Sequence, residues 1–339
     1  MQKSKNKNFP NETSQGDQKD QQPAESSKED MAGRHIPVMQ NEVLTFLDPK
    51  EKESYLDLTA GYGGHASLIL DRTLFAAGSV LVDRDEMAVA QLVLKFQGSG
   101  VQIIHNDYVS AAKELLRDNR KFDVMLADLG VSSPHLNEVS RGFSFKQDAP
   151  LDMRMDNRQE LTAEIIVNTY NKADLIDILR TYGEEPKASQ IASRIISNRP
   201  IRSTLQLAHI TAQAWPGHSK VHPATRTFQA LRIAVNNELE LLKTALPLWV
   251  DLLAPGGRLV ILSFHSLEDR IIKQYFNNIA GDRYDTEFRL LTKKPVVPGA
   301  KELVFNPRAR STKLRAVAKI NKQKGEANAY NGKKQLPSV

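Results

Sequence analysis

Residues Asp57-Leu58-Thr59-Ala60-Gly61-Tyr62-Gly63-Gly64-His65 carry the chain from a short apolar strand through a glycine-rich turn into a helix. Glycine lets such a turn take positive φ and lets a bulky ligand approach the peptide groups. The helix start adds unsatisfied N–H groups and a positive dipole end. Asp83 closes the next apolar run, Ser79-Val80-Leu81-Val82, where an acid is placed to accept from ribose hydroxyls. Together these features predict a nucleoside-containing cofactor at the carboxyl ends of a parallel sheet. Gly61 to Ala66 also satisfies G-x-G-x-x-A, so the turn alone leaves S-adenosylmethionine and NAD both open.

Apolar runs at 54–58, 79–83, 101–105 and 122–129 read as buried parallel strands. Helical patterns at 66–74, 86–95 and 110–117 separate them, which predicts a doubly wound, Rossmann-like α/β sheet. The fifth strand, 258–262, comes only after a gap far too long for one crossover. The middle of that gap, 161–215, repeats apolar residues at i, i+3, i+4, notably over 173–182 and 187–198. It reads as an inserted helical subdomain, followed by one returning helix over 227–246. Runs at 288–291 and 313–317 predict an antiparallel hairpin at the sheet edge, a methyltransferase habit rather than a dehydrogenase one. The expected organisation is a disordered tail (1–33), a sheet domain in two parts (34–137 and 222–318) around an insertion (138–221), and a second, basic tail (319–339).

The chain has no cysteine. That excludes disulfides, thiolate zinc sites, iron–sulfur clusters and cysteine nucleophiles. It also disfavours methylation at carbon 5 of a pyrimidine, which needs a thiolate adduct, but not methylation of an exocyclic amine. No apolar run approaches the ~20 residues of a membrane span, and the N-terminus has no apolar signal segment. A soluble, cytoplasmic protein without a membrane association is expected. From Arg283 to Val339 there are fourteen Lys and Arg against four Asp and Glu, so this segment is ten charges positive and the remainder four negative. A basic segment on an acidic body suggests a polyanionic partner.

Strand four runs into Asp128-Leu129-Gly130-Val131-Ser132-Ser133-Pro134, which by the strand-end rule faces the reactive end of the cofactor. An exocyclic amine becomes nucleophilic when acceptors hold its N–H groups and turn its lone pair out of conjugation. Asp128, the hydroxyls of Ser132 and Ser133, and carbonyls turned outward by Pro134 are suitable acceptors. The alternative is a strand-end turn capped by the serines. After strand three, Asp107 is placed to accept from an adenine amino group and Tyr108 to line the ring. Three further segments, 141–156, 222–232 and 263–270, combine arginines with aromatics. Such residues hold phosphates and stack bases, or pack the subdomain on the sheet, and sequence leaves both open. Asp152 and Asp156 read as loop ion pairs rather than metal ligands. His265 reads as an acid–base candidate or a hydrogen-bonded strand-end residue.

With these residues assembled, the chain resembles the bacterial 16S rRNA (cytosine-N4)-methyltransferase family. The likeness runs from about Arg34 to Ala318 through Gly61–His65, Asp83-Arg84-Asp85, Leu129–Pro134, Arg141-Gly142-Phe143-Ser144-Phe145, Leu151–Asp156, His222–Arg232, Ser263–Arg270 and Asn306–Ser311. It implies a class I methyltransferase sheet with a helical insertion, S-adenosylmethionine as donor, and a decoding-region cytidine of 16S rRNA in the small ribosomal subunit as substrate. It places the cofactor on Gly63, Gly64, His65, Asp83, Tyr108 and Asp128. His135 stands where the family has Gln, and Tyr108 where it commonly has Phe. The target amine is assigned to Asp128, Ser132, Ser133 and Pro134, and the substrate side to Asp152, Arg154, Arg226 and His265. No metal is expected, and a homodimer is compatible with the sequence. The rivals are an NAD-dependent dehydrogenase, which lacks any recognisable hydride-transfer site here, and a non-catalytic RNA-binding factor.

Overall fold

The computed structural model describes residues 37–131, 138–215, 222–280 and 286–320. The predicted tail over 1–33 and nearly all of that over 319–339 lie outside them. Five parallel strands form the centre of the fold: β1 (Tyr55–Asp57), β2 (Val80–Asp83), β3 (Gln102–His105), β4 (Phe122–Asp128) and β5 (Leu253–Ser263). Their near-continuous apolar runs are what a sheet covered on both faces requires, and Val80, Leu81 and Val82 are all fully buried. The fifth strand starts earlier than predicted. Pairing with β4 begins at Leu253 and slips between Phe122 and Val124, where Gly256 takes φ 84° and the extra residues make a bulge.

Two late strands complete the sheet. β6 (Phe288–Leu290) and β7 (Lys313–Lys319) are antiparallel as predicted, and β7 lies between β5 and β6. The resulting order, β3-β2-β1-β4-β5-β7-β6, is that of a class I methyltransferase. Helices cross between strands: α1 (Gln40–Leu47) precedes β1, and α2 (Gly64–Thr73), α3 (Glu86–Lys95) and α4 (Tyr108–Arg117) follow β1, β2 and β3.

Between β4 and β5 lie α5 (Ala163–Thr169), α6 (Lys172–Gly183), α7 (Ala188–Ser197), α8 (Thr204–Ala212), α9 (Ala224–Asn236) and α10 (Glu238–Leu252). The returning helix predicted over 227–246 is in fact α9 and α10, broken at Asn237 with φ 50°, a left-handed conformation that Asn tolerates better than most residues. The break has a packing reason. Phe228, Leu231 and Val235 of α9 join a helical core with Ile166, Leu179 and Ile191. Leu242, Leu246 and Trp249 of α10 join the sheet core instead. One straight helix cannot face both, and Arg232 spans the break with two 2.8 Å bonds to Glu238. No helix among the described residues is long and apolar enough to cross a membrane.

Candidate active site

The carboxyl ends of β1, β2 and β4 bring Asp57, Asp83 and Asp128 to one edge of the sheet. The turn after β1 is tied to β2: the Asp83 carboxylate accepts from the backbone N–H of Gly61 at 2.7 Å and of Asp85 at 2.8 Å. The three glycines of the turn divide the work. At Gly63 (φ 71°) a Cβ would lie 2.7 Å from the Phe96 ring, and at Gly64 it would lie 2.9 Å from Pro37. Their bareness serves packing. At Gly61 (φ 52°) a Cβ would meet nothing within 4 Å, so this residue, absent from the predicted contacts, presents open backbone to a ligand.

Asp128 is the chemically distinctive group. Its N–H donates to Thr59 Oγ1 at 2.6 Å. Its Oδ2 lies 3.8 Å from His65 Nε2 in the first turn of α2. Its buried Oδ1 has no hydrogen-bond partner among the described residues. Burial pushes its pKa up to about 8, helped by the nearby charges of Asp57 and Glu268. Asp57 is likewise raised by burial, to about 7, although it accepts from the Tyr55 hydroxyl at 2.6 Å and from Thr59 N–H. A half-buried carboxyl with one buried oxygen that has no partner among the described residues suits a polar or cationic ligand that completes its surroundings. With the bare backbone at Gly61 and the strand-end acid Asp83, these residues fit a nucleoside bearing a sulfonium.

Other candidates are engaged within the protein. Asp107 caps α4, accepting from Val109 N–H, Ser110 N–H and Ser110 Oγ. The Tyr108 ring packs edge-on against Trp249, centroids 5.3 Å apart. Asp152 and Arg154 bind each other through two bonds of 2.9 and 2.8 Å, and Arg154 Nη1 also reaches the carbonyls of Asn157 and Gln159. Asp156 pairs with Arg158 at 2.7 Å. These pairs close the loop on itself and leave both Arg154 and Asp152 partly exposed. Arg226 is exposed on α9. His265 is the N-cap of helix α11 (Ser266–Ile279), in a capping box with Glu268, the hydrogen-bonded arrangement that the sequence left open. Ser132, Ser133, Pro134 and His135 lie outside the described residues.

Three residues that were given no individual role from sequence prove central to placing the insertion. Arg141, 8% exposed at its side chain, meets Asp85 at 3.3 Å and donates to the carbonyls of Arg154 and Met155. Arg84 also reaches Met155 Sδ. Asn236, buried at the end of α9, accepts from Met155 N–H and donates to the Met153 carbonyl, both at 2.8 Å. Thus the residues just after Asp83 lock the 141–156 loop beside the cofactor end of the sheet. Glu268 accepts from Phe264 N–H at 2.8 Å; burial opposes its ionisation, but His265 and Arg232 keep its pKa low. Glu238, His265 and Glu268 lie close enough to hold a cation, yet the Arg232 guanidinium already occupies both Glu238 oxygens.

Comparison with known proteins agrees with this geometry. Residues 32–320 match the MraW methylase family. The chain is 46% identical over 294 residues to "Ribosomal RNA small subunit methyltransferase H" of Cyanothece sp., covering 86% of this chain and 96% of that one. The protein of the same name from Halothermothrix orenii is 43% identical over 307 residues, covering 84% and 98%. With its sheet order and strand-end carboxylates in place, the chain belongs to the MraW methylase family and is a class I methyltransferase, a fold that draws its methyl group from S-adenosylmethionine.

Proposed function

We propose that the protein methylates the exocyclic N4 of a cytidine in small-subunit rRNA, a cytoplasmic substrate, with Asp128 at the target amine. The observation that carries this reading is the half-buried Asp128 carboxyl at the end of β4 beside the glycine turn, whose buried Oδ1 has no hydrogen-bond partner among the described residues. Asp83, the backbone at Gly61 and the N-terminal turn of α2 hold S-adenosylmethionine, with Tyr108 on its adenine side. When bound, S-adenosylmethionine supplies a methyl group on a positively charged sulfur. The chain supplies the rest. Asp128 Oδ1 accepts an N–H of the incoming amine, which turns the nitrogen lone pair out of the ring and raises its nucleophilicity. Where it is ionised, the same carboxylate takes up the proton that N4 sheds, a general-base role that makes transfer rise as pH approaches about 8. His65, 3.8 Å from the other oxygen, orients the carboxylate. The absence of cysteine is consistent with an amine target, since no covalent adduct to the base is needed. The loop 141–156 and the helices behind it form the far wall against which the RNA is held.

The test is transfer of labelled methyl from S-adenosylmethionine to small subunits that lack the modification, followed by nucleoside analysis. Label in N4-methylcytidine is expected. Label in another nucleoside, or only in protein, would overturn the assignment.

A further inference from the structure

Among the described residues the two most exposed large apolar side chains are neighbours, Val304 at 74% and Phe305 at 73%. They end helix α12 (Ala300–Phe305), directly before the 3-10 turn Pro307–Ser311. Single exposed apolar residues are ordinary. An exposed aromatic at the end of a helix, with cations on both sides of it in sequence, is the composition of a surface that stacks unpaired bases. Lys301, Arg308 and Arg310 are exposed around it. The one acid of this stretch, Glu302, points inward and accepts from Met39 N–H at 2.6 Å.

The surface is firmly mounted. Ala309 is fully buried, Leu303 packs on the same core cluster, and Thr312 N–H donates to the Ala309 carbonyl at 2.8 Å. It is tied to the site through the interior: buried Met39, whose N–H Glu302 accepts, lies two residues from Pro37, whose ring packs over Gly64 at the start of α2. We propose that this arm is a docking surface for an unpaired stretch of the rRNA substrate, with Phe305 stacking on a base and Arg310 meeting a backbone phosphate. The proposal rests on the rRNA reading above and adds to it a contact outside the helical insertion. The occupant is set by charge: exposed apolar side chains with Lys301, Arg308 and Arg310 exposed in the same short stretch, whose one acid, Glu302, is taken up by Met39 N–H, suit a nucleic acid better than a second copy of the same cationic stretch.

The test compares wild type with Phe305→Ala, Phe305→Trp and Arg310→Gln in binding and methylation of unmodified small subunits over a range of salt, with S-adenosylmethionine affinity measured in parallel. Phe305→Ala is expected to raise KM for subunits roughly 5- to 100-fold, with the cofactor affinity unmoved, and Phe305→Trp to restore it. Arg310→Gln is expected to flatten the salt slope by about one. A Phe305→Ala protein with wild-type KM and salt slope overturns the proposal. So does one whose thermal midpoint falls while KM holds, since the Phe305 ring is then covered by the chain itself. A wild-type protein that methylates no subunit fails at an earlier point, in the rRNA reading itself, and removes the basis of this proposal with it.

Discussion

The arginines of the 141–156 loop and those of the α12 arm look alike in sequence, each set lying beside an aromatic or apolar partner, yet the fold uses them in opposite ways. Arg141 is buried against Asp85 and two carbonyls, and Arg154 is closed on Asp152. Arg310 is exposed beside an exposed Phe305. The strand-end acids differ less sharply: Asp83 accepts from two backbone N–H groups beside the glycine turn, whereas Asp128 Oδ1 has no partner among the described residues. What separates structure from function here is whether a group's partners lie within the protein, not which residue type it is. Removing an engaged group should cost folding; removing an available one should cost chemistry.

The largest effect is expected at Asp128. Asp128→Asn should lower methyl transfer by about 100-fold or more, the range for losing a general base, while S-adenosylmethionine still binds. Stability should move the other way. Its pKa is raised from 3.8 to about 8 by burial, so between those values the folded state holds a proton that the unfolded state has released. Stability of the ligand-free protein from this group is therefore full below about pH 4 and declines as pH rises to about 8. The variant, which cannot ionise, should show a thermal midpoint that gains on wild type across that window. Arg141→Ala should do the reverse and destabilise by about 3–5 kcal/mol, because it leaves the Asp85 carboxylate buried without its counter-charge. A denaturant series measures that loss.

Smaller effects sharpen the contrast. Gly61→Ala and Gly63→Ala both place a side chain at positive φ, a strain of about 1 kcal/mol. Gly63→Ala also drives a Cβ toward Phe96 and should lose further stability. Gly61→Ala should instead weaken S-adenosylmethionine binding, which calorimetry reads directly. Arg154→Ala is expected to be the mildest, at about 1 kcal/mol for a partly exposed pair, and to leave the salt slope of subunit binding unchanged. A slope reduced by about one would return Arg154 to the RNA side.

Most of the sheet was legible because parallel strands covered on both faces need apolar runs, which β1, β2 and β4 have; β3, at the sheet edge, is only partly buried, with Gln102 exposed. The glycine turn and Asp83 were legible for a related reason, since a strand, a tight turn and a helix start constrain residue types within a few positions. Which glycine faces a ligand was not legible, because it depends on Phe96 and Pro37, distant in sequence. The break at Asn237 was hidden by helical periodicity that continues on both sides while the buried face changes core. For His265 the hydrogen-bonded reading could have been made specific: with Glu268 three residues on, it already had the spacing of a capping box. The fates of Arg141 and Arg154 depended on carbonyls and carboxylates whose positions only the folded loop determines.

The central claim is that Asp128 is kept available for chemistry at the expense of stability. The most direct test measures methyl transfer to unmodified small subunits and the thermal midpoint of ligand-free protein at pH 8, for wild type and Asp128→Asn side by side. The expected result is a variant with a higher midpoint and a transfer rate lower by about 100-fold or more. A variant that transfers methyl at the wild-type rate, or one whose lost activity is matched by a lower midpoint, would contradict it.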